Sequence, residues 1–430
     1  MSSGRIPVII DTDPGIDDII ALLFALASPE LDVLAITVSY GNTDMAASKL
    51  NVLKTYQALT LHLEKHPEQQ SRFPNYFSTS KPILAEGSEI PLEGDLHSAQ
   101  YFHGRDGLGD ISKRHADLDV ARKDDGGDAS HPQVQITGTS AVDVALDLLR
   151  RNPARSITYI ALGPLTNLAR LMRADAALVR NKIGRIVCMG GALDVPGNTS
   201  PVAEFNFFAD PYAVRELLHP SQPELGLPLE RFLMLPLDIT TPHELPFPVY
   251  KAQVDPTFEN TSCPSLSKDK SPLTHFTSSF LERTREVMLE FGKDAMELHD
   301  IVAVWCAIEN PPVADAATPL NRGWKASRRT FEIERTGELT RGMLVVDRRE
   351  DESAYAPGAN RAQVQAELEK AALPHGQFES TALPAQVEIE EPPQKHTSQG
   401  VLCVTDTPGP QMLLNLLLKR VWGVEGIKSS

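Results

Sequence analysis

Apolar runs rich in Val and Ile alternate with amphipathic stretches over most of the first 240 residues of the chain. This alternation is typical of a mainly parallel sheet covered by helices on both faces, so we predict an open α/β fold. The apolar runs predict strands at Ile6–Ile10, Val33–Ser39, Ile157–Leu162, Arg185–Met189 and Arg231–Leu237. The amphipathic runs predict helices at Ile19–Ala27, Asp44–Leu59, Ala141–Arg151, Leu165–Met172 and from about Tyr212 onward.

Four polar segments interrupt this alternation, and their apolar residues do not recur with the period of a helix or a strand. They span residues 62–80, 113–131, 256–271 and 375–399, and we expect them to be surface insertions or disordered loops. After the last of them, Val401–Val404 predicts a strand and Gln411–Val421 a helix. The chain therefore returns to its core, and we predict one elaborated domain over residues 1–426.

Composition and charge narrow the possible partners. The 430 residues are 41% hydrophobic, which is enough to form a sizeable core. A formal net charge of −16, without any Lys/Arg block, argues against binding to nucleic acid. Neither a secretory signal nor a run of eighteen apolar residues is present, so we expect a cytoplasmic protein with no membrane partner.

Acidic residues crowd the junction between the first predicted strand and the first predicted helix. Asp11 and Asp13 share one face at the strand end, and Asp17 and Asp18 follow at the helix N-terminus. Four such acids repel one another, so they require a neutralising cation, uptake of protons or a turn that is open to water. The first option predicts a hard-metal site with oxygen ligands. Asp17 and Asp18 diverge by about 100° on a helix, so we expect them to serve different partners. The alternative is that both merely cap the helix.

Two further junctions between strand and helix lie at the same end of the predicted sheet. Asn42 follows the second strand, at the carboxyl end where ligands of open α/β sheets bind. Taken alone, an asparagine such as Asn42 is more often a turn residue than a ligand. The run Ile160–Asn167 is another such junction, where a backbone carbonyl freed from the sheet ladder could face a cation.

Polar residues in two other apolar settings are candidates for substrate contact. Glu204 and Asn206 stand at i and i+2 among apolar neighbours, a spacing that suits recognition of a vicinal diol. The alternative is an amphipathic edge strand with a solvated face. His299 and Asp300 lie in the predicted helical run Ala295–Ala307, where a charged acid is costly unless paired. The alternative there is an N-cap acid beside a surface histidine.

A glycine-punctuated loop over residues 102–109 contains His103 near its start. Such a loop is either a mobile lid or a plain connection.

These motifs together resemble the nucleoside hydrolases, the family of inosine-uridine preferring N-ribohydrolases. The similarity rests on the DTDPGIDD run at residues 11–18, residues 40–42, 161–167, 197–206 and 299–300, with a family-like segment at 341–347. The resemblance implies an open, mainly parallel, Rossmann-like sheet of the nucleoside hydrolase fold that binds Ca²⁺ at the carboxyl ends of its strands. It also implies a nucleoside substrate, self-association as a homodimer or homotetramer, and a role in nucleoside salvage or catabolism.

The resemblance further assigns roles to single residues. Asp13, Asp18 and Asp300 would ligate the calcium ion through their side chains, and Leu162 through its carbonyl oxygen. Asp13 would also take the proton from the attacking water, while His299 would assist the departing base. The ribose hydroxyls would contact the remaining polar residues, namely Asp17, Asn42, Asn198, Glu204 and Asn206.

Two other functional classes stay open at this stage. A phosphatase of the haloacid dehalogenase kind also begins with a strand ending in Asp-x-Asp, and would use Asp11 as nucleophile with Mg²⁺. A nucleoside- or ribose-binding protein without turnover would keep the same pocket. The preference for purine or pyrimidine bases depends on loops whose geometry the sequence does not show.

Overall fold

A nine-stranded sheet forms the centre of the computed structural model, which describes residues 4–78, 80–120, 129–313, 319–347 and 400–424. The strands of the described residues are β1 (Ile6–Thr12), β2 (Leu31–Val38), β3 (Ile83–Glu86), β4 (Gln135–Ile136), β5 (Ile157–Ala161), β6 (Ile183–Met189), β7 (Phe232–Leu235), β8 (Glu244–Pro246), β9 (Ala295–Glu297), β10 (Lys325–Arg329), β11 (Glu332–Ile333), β12 (Leu344–Val345) and β13 (Val401–Asp406).

Helices flank the sheet on both faces. In chain order they are α1 (Ile16–Leu26), α2 (Met45–Lys65), α3 (Gln100–His103), α4 (Ile111–Arg114), α5 (Ala141–Arg151), α6 (Thr166–Lys182), α7 (Phe205–Ala209), α8 (Pro211–Leu218), α9 (Leu237–Thr240), α10 (Phe247–Gln253), α11 (Pro272–Glu290), α12 (His299–Glu309) and α13 (Pro410–Leu417). Short 3₁₀ turns occur at Pro67–Arg72, Ala116–Leu118, Pro223–Leu225, Leu229–Arg231 and Ser267–Asp269, and a π turn occurs at Leu418–Trp422.

The sheet order is β10-β13-β7-β6-β5-β1-β2-β3-β4. Every neighbouring pair is parallel except β10 with β13. The predicted open α/β fold is therefore confirmed. Because the chain continues from β1 to β2 on one side and returns to β5 on the other, the sheet has a switch point between β1 and β5. Ligands of open α/β sheets bind in the crevice at such a point, outside the carboxyl ends of the strands.

Two hydrophobic layers sandwich the sheet, as the alternation of side chains along β1 shows. Val8 and Ile10 pack into the layer that contains α1, α2, α11 and α12, whereas Ile9 packs into the layer that contains α5 and α6. Helix α1 is buried on nearly all sides, which explains why its sequence is apolar around the whole circumference. The rigid β1–α1 junction therefore fixes the acids that lie between them.

The predicted loop at residues 62–80 is wrong in character, because much of the segment is ordered and packed. Helix α2 continues to Lys65, a 3₁₀ turn follows, and Phe73 and Tyr76 are buried. Asn75 donates hydrogen bonds to the carbonyl oxygens of Ala25 and Ser28 at 2.9 and 2.7 Å. A few buried aromatic and amide groups thus anchor a segment that has no apolar period.

The other predicted insertions have different outcomes. Residues 256–271 are ordered and bury Phe258, and Lys270 within them pairs with Asp255. Residues 113–120 form a turn of helix and a 3₁₀ turn, while 121–128 and the whole of 375–399 lie outside the described residues.

The predicted helix at Ala295–Ala307 is wrong at its start. Ala295–Glu297 forms β9, which pairs antiparallel with β8, and the helix begins only at His299. His299 and Asp300 are therefore first-turn residues of α12 rather than mid-helix residues, which lets both side chains reach the crevice. The helices of the described residues include none with the length and apolar character that a membrane crossing requires.

Candidate active site

A cavity of about 420 Å³ opens at the carboxyl ends of the central strands. Nine of the residues singled out by sequence line it, namely Asp17, Asn42, His103, Leu162, Asn198, Glu204, Asn206, His299 and Asp300. Asp13 and Asp18 lie next to them, since each accepts a hydrogen bond of 2.8 Å from Asn42. The structure thus brings together side chains that are almost 290 positions apart in sequence.

Three carboxylates at the floor of this cavity are close enough to share one cation. Asp17, Asp18 and Asp300 each offer an oxygen, and these atoms lie within 4.8 Å of one another. The expected divergence of Asp17 and Asp18 along the helix therefore does not separate their oxygens. A cluster of three carboxylates of this kind is a suitable ligand set for a metal ion.

The Asp18 carboxylate is the most firmly held member of this group. Its Oδ2 accepts hydrogen bonds from the backbone N–H of Gly15 and from Asn42 Nδ2 at 3.1 and 2.8 Å. Its Oδ1 accepts from Thr12 Oγ1 and from the backbone N–H of Asp13. Donors on two strand ends and the N-cap of α1 therefore fix this side chain in one orientation.

Asp13 is held differently, with one oxygen bonded and the other without a partner. Its Oδ2 accepts from the backbone N–H of Asn42, whereas its buried Oδ1 has no hydrogen-bond partner. Glycines enclose the carboxylate: a Cβ added at Gly163 would lie 2.5 Å from Oδ1, and one added at Gly41 would overlap Oδ2. A buried polar atom without a partner is costly, so Oδ1 indicates a missing ligand.

Burial and mutual repulsion both act on these acids. Burial, followed by the charge of Asp18, raises the pKa of Asp13 well above its usual range. Burial, followed by the charge of Asp17, does the same to the pKa of Asp300. The pKa of Asp17 is raised to about 7 by burial and by Asp18. A divalent cation would relieve this repulsion, so the residues fit such an ion.

Asp11 has a different environment from the other acids of the DTDPGIDD run. Its Oδ1 accepts hydrogen bonds from Thr37 Oγ1 and Asn167 Nδ2 at 2.8 and 2.7 Å. Asn167 in turn accepts from the backbone N–H of Ser88. Asp11 thus bonds within the strand ends beneath the cavity, and the expectation that Asp11 and Asp13 face one ion is not supported by these contacts.

Glu204 and Asn206 line the cavity, but they belong to the start of a short helix and not to a strand. Glu204 is the N-cap of α7, and its carboxylate accepts from the backbone N–H groups of Gly191, Asn206 and Phe207 at 2.7 to 3.1 Å. The alternative of an amphipathic edge strand is therefore wrong. Asn206 Nδ2 donates to the Leu162 carbonyl at 2.6 Å. This bond connects an expected ribose contact, Asn206, to an expected metal ligand, Leu162.

Asn198 makes a hydrogen bond within the protein through the oxygen of its side-chain amide. Its Oδ1 accepts from the backbone N–H of Phe205 at 2.9 Å, so the Nδ2 group is left to face the cavity that Asn198 lines.

His299 lines the cavity directly before Asp300, at the end of a charged chain. Its Nε2 lies 3.0 Å from Glu297 Oε2 and its Nδ1 lies 2.8 Å from Thr240 Oγ1. Lys293 donates to Glu297 at 2.6 Å. Burial lowers the pKa of His299, but the hydrogen bond and charge of Glu297 outweigh it, so the net pKa is raised. The protonated imidazolium is therefore favoured.

The second histidine of the cavity has the opposite character. Burial, followed by the charge of His299, lowers the pKa of His103 to about 3. Its Nδ1 accepts from the backbone N–H of Ile16 at 3.1 Å, so the neutral ring carries its proton on Nε2. This bond anchors α3 to the start of α1.

Several residues of the cavity were missed by sequence reasoning. Glu297 and Lys293 precede His299 by two and six positions, and their charge pattern could have been noticed within the run Lys293–Asp300. The apolar wall has no local signal, because Tyr101, Phe205, Met288 and Phe291 come from three separate segments. Tyr101 and Phe291 remain exposed at the rim.

Comparison with known proteins agrees with this arrangement. The sequence profile described as "Inosine-uridine preferring nucleoside hydrolase" matches residues 8–373. The chain belongs to this family. The resemblance drawn from the motifs is thereby confirmed, and the chain is a nucleoside hydrolase, a hydrolase that acts on ribonucleosides. The phosphatase alternative is not favoured.

Relatives of this nucleoside hydrolase include a pyrimidine-specific enzyme and a fungal protein. It is 32% identical to the pyrimidine-specific ribonucleoside hydrolase RihA of Salmonella arizonae, over 80% of this chain and 88% of the relative. An uncharacterized protein of Schizosaccharomyces pombe is 30% identical, over 79% and 88%.

Solved structures with the same fold include the plant nucleoside hydrolase PpNRh1, with a TM-score of 0.64 and 22% identity over 97% of this chain and 99% of that one. The purine-preferring ribonucleoside hydrolase of Gardnerella vaginalis has a TM-score of 0.62 and 19% identity, over 97% and 98%.

Proposed function

We propose that this nucleoside hydrolase cleaves the N-glycosidic bond of ribonucleosides with the help of Ca²⁺, giving ribose and a free base for salvage or catabolism. The observation that carries the proposal is the unpartnered Oδ1 of Asp13 beside the converging oxygens of Asp17, Asp18 and Asp300. An anionic, oxygen-only cluster suits Ca²⁺ better than the softer transition metals, which favour nitrogen and sulfur ligands.

The side-chain ligands in this proposal are Asp13, Asp18 and Asp300, with Leu162 contributing its carbonyl oxygen. Asp18 is already oriented by four donors, and Asp13 Oδ1 is free to bind. The Leu162 oxygen accepts one hydrogen bond from Asn206 and keeps a second lone pair. When bound, calcium would supply a water of lowered pKa and a fixed anchor for the ribose diol.

Asp13 is the residue proposed to accept the proton of the attacking water. Its Oδ1 has no donor competing for it, and the backbone of Gly163 and Gly41 prevents the carboxylate from swinging away. A general base must be held within hydrogen-bond reach of the proton that it takes. The glycine enclosure supplies this restraint.

The ribose is proposed to lie against Asp17, Asn42, Asn198, Glu204 and Asn206. Asn42 gives its Nδ2 to Asp18, so its Oδ1 faces the substrate as an acceptor. Three backbone donors fix the position of the Glu204 carboxylate and oppose the burial that raises its pKa. Bond cleavage passes through a sugar with oxocarbenium character, and carboxylates fixed near the ring stabilise its positive charge.

The departing base is proposed to receive help from His299. Thr240 and Glu297 hold the two ring nitrogens of His299 at 2.8 and 3.0 Å, so donation to a basic atom of the leaving group would require the ring to exchange one of these contacts for the base. His103, neutral and with its proton on Nε2, offers a second donor on the other side of the cavity. Whether residues 102–109 act as a lid remains a prediction.

The test is release of free ribose from inosine, adenosine, guanosine, uridine, cytidine and nicotinamide riboside. The wild type is assayed before chelation, after chelation, and after return of Ca²⁺ or Mg²⁺. We expect chelation to abolish ribose release and Ca²⁺ to restore it. Binding of nucleosides without ribose release would instead support the non-catalytic alternative.

Asp13→Ala tests the residue assignment. We expect it to remove nearly all turnover, while Asp95→Ala, which changes an exposed acid, leaves turnover intact. Near-normal ribose release by a folded, calcium-loaded Asp13→Ala protein would refute the assignment.

A further inference from the structure

A second cluster of metal-ligating side chains lies apart from the cavity of the nucleoside site. His115 and Asp117 follow α4, and His275 lies in the first turns of α11. One ligand atom from each of the three lies within 4.8 Å of the others. We propose that His115, Asp117 and His275 form a binding site for a transition-metal ion of the zinc type.

The spacing of the ligand atoms agrees with tetrahedral coordination. His275 Nε2 lies 3.1 Å from Asp117 Oδ2, and the two imidazole rings are 5.3 Å apart and nearly perpendicular. Zinc bonds of about 2.0 to 2.1 Å place tetrahedral ligands about 3.3 Å from one another. The His275–Asp117 separation is thus close to one edge of such a tetrahedron.

The donor set selects the class of metal. Two imidazoles and one carboxylate suit Zn²⁺, whereas Ca²⁺ and Mg²⁺ prefer oxygen ligands throughout. The ion would therefore differ from the one proposed for the acids of the nucleoside site. His115 and His275 are buried, while Asp117 is half exposed, which leaves an open side for a water as the fourth ligand.

Residues around the cluster orient its ligands. His275 Nδ1 lies 2.9 Å from Ser265 Oγ, so a ring that donates there presents a lone pair at Nε2. Hydrogen bonding at the second ring nitrogen is the usual way in which proteins orient a metal-binding histidine.

Arg114 opposes metal binding but does not prevent it. Its Nη1 lies 3.3 Å from His115 Nε2, and the same nitrogen donates to the buried Glu282 at 2.9 Å. Its Nη2 donates to the carbonyl oxygens of Gly109 and Ser279, so the guanidinium stays anchored if His115 turns its lone pair to a metal. Glu282 balances the arginine charge, and the net repulsion on a cation is reduced.

The site would join two parts of the chain that both reach the nucleoside cavity. His115 and Asp117 follow the segment that carries His103, and His275 lies on the helix that carries Met288. An ion bound there would stabilise the folded state by mass action, without being needed for turnover.

The experiment uses the full chain with Ca²⁺ in excess, so that the acids of the nucleoside site are occupied. Zn²⁺ is added, the protein is desalted, and bound zinc is measured by plasma mass spectrometry together with the unfolding temperature. We expect the wild type to retain about one zinc ion more than Asp117→Asn, and Zn²⁺ to raise the unfolding temperature of the wild type but not that of Asp117→Asn. Loss of one ligand should weaken zinc binding by at least about tenfold, as loss of outer-shell partners alone weakens metal sites 10- to 100-fold.

Asp119→Asn is the matched control, because it changes a neighbouring half-exposed acid that pairs with Lys54. We expect Asp119→Asn to bind zinc as the wild type does. Because Asp117 is half exposed, its variant tests the site even if His115→Gln or His275→Gln fails to fold. Equal zinc retention by the wild type and Asp117→Asn would overturn the proposal, as would equal losses in Asp117→Asn and Asp119→Asn.

Discussion

Replacing Gly163 by alanine should damage the site without removing any functional group. The added Cβ would lie 2.5 Å from Asp13 Oδ1 and 2.9 Å from its Cγ. Cβ atoms in proteins essentially never approach closer than 3.0 Å, so one of the two groups must shift by at least about 0.5 Å. If Asp13 moves, the proposed base is displaced. If Gly163 moves, the adjacent Leu162 carbonyl is displaced with it.

Either displacement alters a proposed calcium ligand. A misplacement of about 1 Å costs roughly 10²-fold in rate, so a shift of half that size should lower kcat/KM by about 10-fold to 100-fold. This corresponds to about 1.4 to 2.7 kcal/mol of transition-state stabilisation. Overpacking costs about 1 to 3 kcal/mol of folding free energy, so we expect a folded protein with a moderately lower unfolding temperature.

The assay compares ribose release, calcium dependence and thermal unfolding of Gly163→Ala with those of the wild type. Gly138→Ala is the matched control, because a Cβ added there meets nothing within 4 Å. We expect the control to keep wild-type kinetics. A folded Gly163→Ala enzyme with wild-type kcat/KM and calcium affinity would show that the position of Asp13 does not limit catalysis.

Two further changes test other contacts. Glu297→Gln should lower kcat by about tenfold, because it weakens the hydrogen bond that orients His299. Glu244→Gln alters the other carboxylate bound to Lys293 and should leave kcat unchanged. Equal losses of kcat in both variants would contradict the role of Glu297. Asp255→Asn should destabilise the protein at neutral pH, because hydrogen bonds from Lys270 and Ser278 outweigh burial and lower the folded-state pKa of Asp255 below 3.8. The difference in unfolding temperature between the wild type and Asp255→Asn should be largest above pH 3.8 and should shrink as the pH falls through the lower pKa of Asp255 in the folded state. A difference that does not change with pH would refute the reasoning.

The sequence predicted best the parts of the fold where local pattern and tertiary environment agree. The apolar run before Asp11 is a central strand, and the acids after it reach the crevice because parallel strands place their carboxyl ends at one edge. Asp210 is the N-cap of α8 with Pro211 at its first position, as the Asp-Pro pair predicts.

Prediction was weaker where tertiary contacts override local pattern. Residues 295–297 are apolar enough for a helix, but they pair with Glu244–Pro246 as a strand. Glu204 caps a short helix, because its carboxylate finds three backbone donors, one of them on the distant Gly191. The residues next to each segment in sequence do not indicate either contact.

Glu297 and Lys293 have charged partners nearby in sequence, but the other missed site residues have partners that are far away or apolar. Phe291 is an exposed aromatic near the end of a helix, and only the fold places it at the cavity rim. The grouping of His115 with His275 likewise spans 160 positions and has no metal-binding spacing in sequence. Such sites become visible only once the topology is known.

The position of β13 has a consequence for biosynthesis. This strand lies between β7 and β10 in the sheet, although it begins only at Val401. While the chain emerges from the ribosome, the edge of β7 that pairs with β13 therefore lacks this neighbour until translation has passed Val401. Unpaired strand edges invite aggregation, so a nascent chain stalled before Val401 should depend on chaperones to remain monomeric.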